Sequence, residues 1–132
     1  MSAAAPTLVD TQLLLWAAFE PARLSAAART ALAARDRTLC FSLASIWEVA
    51  LKTSLGRDDF QVDPALLHRG LLAEGFVEVP IAPSHLFRVA TRPWVHRDPF
   101  DRLLVAQAIE EDLGLMTADA ALTAYGRFVE VV

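Results

Sequence analysis

Residues 7–19 read TLVDTQLLLWAAF. Thr7 to Val9 suit a short strand that stops at Asp10. From Thr11 to Phe19 the period changes, with Leu14, Leu15 and Ala18 sharing one helical face. A buried apolar strand running straight into a helix is the signature of a sheet that is covered by helices. An acid at the junction falls where such sheets keep their sites, outside the strands' C-terminal ends.

The same alternation recurs downstream. Pro21 ends the first helix, and Ser25 caps an alanine-rich one running to about Ala34. Thr38 to Phe41 is the next strand, and Ser42 or Ser45 opens a helix that Gly56 stops. Asp63-Pro64 and Asp98-Pro99 both pair a cap with proline at the first helical position. Those helices extend to about Glu74 and Asp112. Phe76 to Val79, Leu115 to Thr117 and Phe128 to Val131 are strands, and Pro83 to Ala90 and Ala120 to Tyr125 are short helical segments. Strands alternating with helices predict an α/β fold, with a mainly parallel central sheet of about four to five short strands covered on both faces.

The bulk numbers bound the function. A chain of 132 residues suits one domain with one real core. We read residues 1–132 as that single domain, with 1–6 a loose N-terminal extension. The hydrophobic fraction is 55% and the mean hydropathy +0.36, so part of the surface is expected to be covered by a partner or by dimerisation. The longest apolar run, LLLWAAF from Leu13 to Phe19, is well short of the roughly 18 residues that span a membrane. The start, MSAAAPT, lacks the basic and apolar segments of a secretory signal. The expectation is a soluble cytoplasmic protein with no membrane association. Cys40 is the one cysteine and sits in an apolar stretch, which suits a core residue and excludes a Cys-rich zinc site. Net charge −4 argues against broad electrostatic binding of nucleic acid, but not against phosphates held by a metal and a few local cations.

Five carboxylates fall near one predicted sheet edge. Asp10 follows the first strand, Glu48 lies early in the helix after the second, Asp98 and Asp101 open a later helix, and Asp119 follows the fourth strand. Asp10 and Asp119 also read as helix caps, and Asp98 reads so most directly because Pro99 follows it. Asp101 suits a capping box or a favourable contact with the helix dipole. Glu48 is harder to explain locally, being the lone charge in IWEVAL. An ion pair with Lys52 one turn on is worth only about 0.2–0.5 kcal/mol. Burying an unpaired carboxylate costs far more than that. Gathered carboxylates repel, and need protons or cations to coexist. Oxygen-only donors select Mg²⁺ or Mn²⁺, which can activate water for attack on a phosphodiester.

Four segments together resemble PIN-domain ribonucleases, specifically the VapC-type toxins of toxin–antitoxin pairs. They are LVDTQLLLW (8–16), SLASIWEVALKTSLG (42–56), HRDPFDRLLVAQA (96–108) and LMTADAAL (115–122). The resemblance implies a PIN-like three-layer α/β/α fold and a metal-dependent endoribonuclease acting on structured RNA such as tRNA or rRNA. It implies Asp10, Glu48, Asp101 and Asp119 as the catalytic metal ligands, with Thr117 ordering the last acid or a water. It also implies a homodimer, silenced by a cognate antitoxin whose C-terminal segment fills the acidic groove. Relatives usually carry His or Asn where this chain has Gln12, so the arrangement around the metal ligands departs there. Asp98 is at most an accessory acid. Lys52, Arg97 and Arg102 are expected to hold RNA phosphates. His68 and His85 read as structural or solvated, and His96 as a weak substrate contact. Trp16 and Trp47 read as core or interface residues, as does Trp94, which could also stack on a base.

Two other classes compete. A PIN-like module that binds RNA or protein without cutting would be favoured by a missing acid, and all four are present. Phosphatases that use an aspartate pair after the first strand need a second acid at position 12, where Gln12 stands. No phosphate-cradling Gly-rich loop is present either.

Overall fold

The computed structural model describes residues 6–92 and 97–132. Residues 1–5 of the expected extension at 1–6, and Trp94 and His96, lie outside the described residues. Pro6 is exposed, and its carbonyl accepts a hydrogen bond from the Gly114 amide.

Among the described residues five strands form one sheet: β1 (Thr7–Val9), β2 (Leu39–Ser42), β3 (Val77–Val79), β4 (Gly114–Thr117) and β5 (Val129–Val131). Their order is β3-β2-β1-β4-β5, and all pairings are parallel. The helices are α1 (Thr11–Phe19), α2 (Ala26–Ala33), α3 (Leu43–Ser54), α4 (Pro64–Ala73), α5 (Pro83–Thr91) and α6 (Pro99–Glu110). Short 3-10 turns occupy Pro21–Arg23 and Ala120–Tyr125.

The register explains the layers. Leu8 pairs with Cys40 and Leu115, while Val9 pairs with Met116. Successive strand residues face opposite sides. Val9, Phe41 and Met116 therefore pack with Leu13 and Leu14 of α1, Ala28 of α2 and Leu67 and Leu71 of α4. Leu8, Cys40 and Leu115 pack with Leu103, Leu104 and Ala108 of α6 and with Leu122. Helix α3 serves both cores, giving Val49 to the first and Ala44 to the second. This is the expected three-layer α/β/α arrangement. The buried side of α1 is set by Leu13 and Leu14, whereas Ala18, expected inward, is exposed.

The chain lays β1, β2 and β3 outward in one direction, then returns to the far side of β1 with β4. The order reverses between β1 and β4, and the crevice at such a switch point is where α/β sheets bind ligands. Local signals aim the helices there. Asp98 accepts from the Phe100 and Asp101 amides, with Pro99 at the first helical position. Ser42 rather than Ser45 caps α3, accepting from the Ala44 amide.

A buried polar chain ties α3, α5 and α6 together behind the crevice. The Ser42 hydroxyl donates to Gln107 Oε1, and Gln107 Nε2 donates to the Pro80 carbonyl. His85 Nδ1 accepts from the Ala82 amide, leaving Nε2–H to donate to Glu111. Gln107 and Ser42 are fully buried, so each lost bond strands a partner. Gln107→Leu keeps most of the volume but orphans the buried Ser42 hydroxyl. We expect it to cost about 2–4 kcal/mol, read as a lower urea midpoint at an unchanged slope.

Candidate active site

At the switch point lies a cleft of about 290 Å³, lined by Asp10, Thr11, Gln12, Leu15, Glu48, Lys52, Asp98, Asp101, Ala118 and Asp119. All five predicted acids come together there. Asp10 arrives from the end of the central strand β1, and Glu48 from the second turn of α3. Asp98 and Asp101 come from the start of α6, and Asp119 from the turn after β4. A larger groove of about 850 Å³ between α1, α2 and α4 is lined mostly by apolar side chains such as Leu14, Leu32, Leu66 and Phe76. It holds none of these acids, so the smaller cleft is the chemical one.

Asp10 is the most constrained acid. It is 6% exposed and caps α1 by accepting from the Leu13 amide at 2.9 Å. Its other oxygen accepts from the Thr117 hydroxyl. Burial pushes its carboxyl above the usual range, Glu48 adds to that, and the Thr117 and Leu13 hydrogen bonds oppose it. Thr117 also accepts from the Asp119 amide at 3.0 Å, which links the two acids on either side of the switch point. Asp119 itself caps the turn at Ala120 by accepting from the Ala121 amide.

Glu48 is equally buried, at 6% exposure. Its Oε2 accepts from Lys52 at 2.7 Å, while Oε1 is buried with no hydrogen-bond partner. The spacing between Glu48 and Asp10 is held by a contact that the sequence reading missed. The Thr11 hydroxyl donates to Ser45 Oγ at 2.8 Å, both residues being buried. Thr11 follows Asp10, and Ser45 precedes Glu48 by one helical turn, so the bond pins the two acid-bearing helices together. The available signal was a serine one turn before the lone acid of an apolar helix. Trp47, half exposed, makes an edge contact with Phe100 at 4.8 Å between ring centroids and joins α3 to the start of α6.

The cations divide. Lys52 lines the cleft as expected. Arg97 is exposed just before Asp98 and lies outside the lining. Arg102 corrects the expectation: it is 4% exposed and donates to the Val89 and Arg92 carbonyls. Those bonds fasten the end of α5 to α6, so its guanidinium serves the fold rather than a phosphate. Gln12 is exposed at the rim, and His85 and Cys40 are buried structural residues.

Among the described residues no three His, Cys, Asp or Glu side chains stand close enough together to hold a metal ion as they are placed. The donor chemistry nonetheless fits a hard divalent cation. Five carboxylates line the cleft with no histidine or cysteine among its lining residues, and the unpartnered Glu48 Oε1 is a buried acceptor that a cation would satisfy. Asp10, Glu48, Asp101 and Asp119 are the residues that would hold it.

A PIN domain family model matches residues 7–127. Among solved structures, a toxin–antitoxin complex from Klebsiella pneumoniae matches with TM-score 0.65 and 21% identity, covering 95% of this chain and 96% of that one. VapBC2 from Rickettsia felis, bound to a DNA fragment from their promoter, matches with TM-score 0.68 and 13% identity, covering 96% and 98%. FitAcB from Neisseria gonorrhoeae matches with TM-score 0.57 and 17% identity, covering 93% and 95%. These likenesses show a shared fold. No curated protein sequence matches the chain significantly.

The raised carboxyl of Asp10 has a consequence for stability. A carboxyl held above its unfolded value of 3.8 makes the fold lose stability as pH rises from there through the folded value. The cost is then present at neutral pH. In chelating buffer at pH 7, Asp10→Asn should melt at or above the native temperature. Saturating Mn²⁺ should raise the melting temperature of the native chain by the equivalent of about 2–3 kcal/mol at a hundred times Kd, and leave Asp10→Asn unmoved.

Proposed function

The chain belongs to the PIN-domain family, and from that premise we propose that it is a VapC-type toxin, a metal-dependent endoribonuclease. The observation that carries the reading is the cleft at the switch point. There, carboxylates from four parts of the chain line one cavity and a buried Glu48 oxygen has no partner. Burying Asp10 and Glu48 beside three further carboxylates is unfavourable unless a cation is to be held. The family's members are generally nucleases, which fits that chemistry.

A bound Mg²⁺ or Mn²⁺ supplies Lewis-acid activation of water and of a phosphoryl oxygen. The chain's residues do the rest. Asp10 and Glu48 form the fixed, buried side of the site, with Thr117 and the Leu13 amide holding Asp10 in one rotamer. Asp101 and Asp119 face them from less buried positions, where one carboxylate can accept a proton from the attacking water. Asp98 aims Asp101 by starting α6. Lys52 and the exposed Arg97 are the proposed phosphate contacts. The substrate is structured RNA, tRNA or rRNA.

Partners follow from the same reading. The Klebsiella neighbour comes from a toxin–antitoxin complex, which supports a cognate antitoxin here, its C-terminal segment filling the acidic groove. An apolar stripe of Trp47 and Leu51 on α3, with Leu55 at its C-terminal cap, stands at 50%, 43% and 67% exposure, which supports a homodimer. Among the described residues no helix is long and apolar enough to cross a membrane, which fits the proposed cytoplasmic site of action.

The test is cleavage of structured RNA by the purified chain. Cleavage should appear with Mn²⁺, vanish with EDTA and fall at least about a hundredfold in Asp101→Asn, judged against the loss typical of a removed charge-stabilising group. EDTA-resistant cleavage, or full activity in that variant, would contradict the assignment. Arg97→Ala should weaken RNA association and flatten its salt dependence, whereas Arg102→Ala should chiefly lower stability.

A further inference from the structure

Lys52 is placed to do more than contact RNA. It stands one turn beyond Glu48 on the same face of α3, with its ammonium 2.7 Å from Glu48 Oε2. The partners differ in burial: the Glu48 side chain is 8% exposed and that of Lys52 is 48%. A nearly buried anion is thus matched by a cation that reaches in from solvent. Among the described residues lining the cleft, Lys52 is the one cationic side chain, beside five carboxylates.

Two facts make the pair exchangeable. Lysine carries its charge on a flexible four-carbon stem, so the ammonium can leave without moving α3. The ammonium also already lies 6.0 Å from the Phe60 ring centre, a weakly attractive face that stays beside it when Glu48 is given up. An ammonium and a divalent cation on neighbouring carboxylate oxygens would repel each other. Entry of a metal at Glu48 therefore favours departure of Lys52.

We propose that Lys52 is an exchangeable counter-ion of the acidic cleft. It neutralises Glu48 until a divalent cation enters, then yields the carboxylate and turns its ammonium to a phosphate of the RNA. This deepens the nuclease reading and rests on it: metal loading and RNA capture become coupled through one side chain. A merely structural ion pair would couple neither.

The test uses the full chain and two variants, Lys52→Met, which keeps the stem and removes the charge, and Lys52→Arg, which keeps the charge. Mn²⁺ is titrated calorimetrically without RNA. Lys52→Met should bind Mn²⁺ roughly tenfold more tightly than the native chain, because a competing charge is gone, while Lys52→Arg should not. Association of a labelled RNA oligonucleotide is then read by anisotropy before products accumulate. Mn²⁺ should strengthen it in the native chain and do so less in Lys52→Met. Unchanged or weaker Mn²⁺ binding by Lys52→Met, with native binding intact, would overturn the exchange and leave the nuclease reading standing. Absence of Mn²⁺ binding by the native chain, or binding that Glu48→Gln does not alter, would overturn both. If Lys52→Met does not fold, the native lysine ammonium resonances decide. Mg²⁺ must shift the Lys52 signal, and an unmoved signal overturns the proposal.

Discussion

The cleft is organised around a carboxylate buried, at a cost in stability, just beyond the C-terminal end of the central strand. Asp10 is where β1 stops, where α1 starts and where the sheet order reverses. Burial raises the cost of its charge, and the fold answers with the Leu13 amide, the Thr117 hydroxyl and the cap geometry of α1. Those contacts hold the acid in place without neutralising it. A second buried acid, Glu48, stands across the cleft, fixed by the Thr11–Ser45 bond and matched by Lys52. The site is thus kept poor in compensating charge, which is what a protein needs if the compensation is to come from an entering cation.

The surrounding architecture reads as support for that placement. The all-parallel sheet directs every strand's C-terminal end the same way, so helices that begin there carry their first-turn acids to one rim. The Ser42–Gln107 bond sets the start of α3 against α6, and therefore Glu48 against Asp101. Arg102 locks α5 to α6 from inside. Removing the Ser42–Gln107 link strands a hydroxyl in the core, so stability and site geometry are coupled through that bond.

Much of this was legible in the chain because its signals are local. Asp63-Pro64 and Asp98-Pro99 begin α4 and α6 as their cap-plus-proline pattern dictates, and the short apolar runs are strands of the sheet. The rim acids were legible for the same reason, being tied to strand ends and helix starts. What escaped were pairings between residues far apart in the chain. Thr11 meets Ser45, Ser42 meets Gln107, and Thr117 reaches back to Asp10. In the sequence Arg102 stands beside two aspartates and reads as a phosphate contact at the rim. Its position within α6 turns it inward instead, where two carbonyls at the end of α5 take its donors. No periodicity reports which distant carbonyl will be waiting.

On the proposed function, the cleft between β1 and β4 receives a divalent cation on carboxylate oxygens. The most direct measurement is an anomalous difference map from crystals of the full chain grown with Mn²⁺. A peak is expected in oxygen-coordination range of Asp10 and Glu48, with Lys52 withdrawn from Glu48. A cleft without that peak at saturating Mn²⁺, with Lys52 still paired to Glu48, would contradict it.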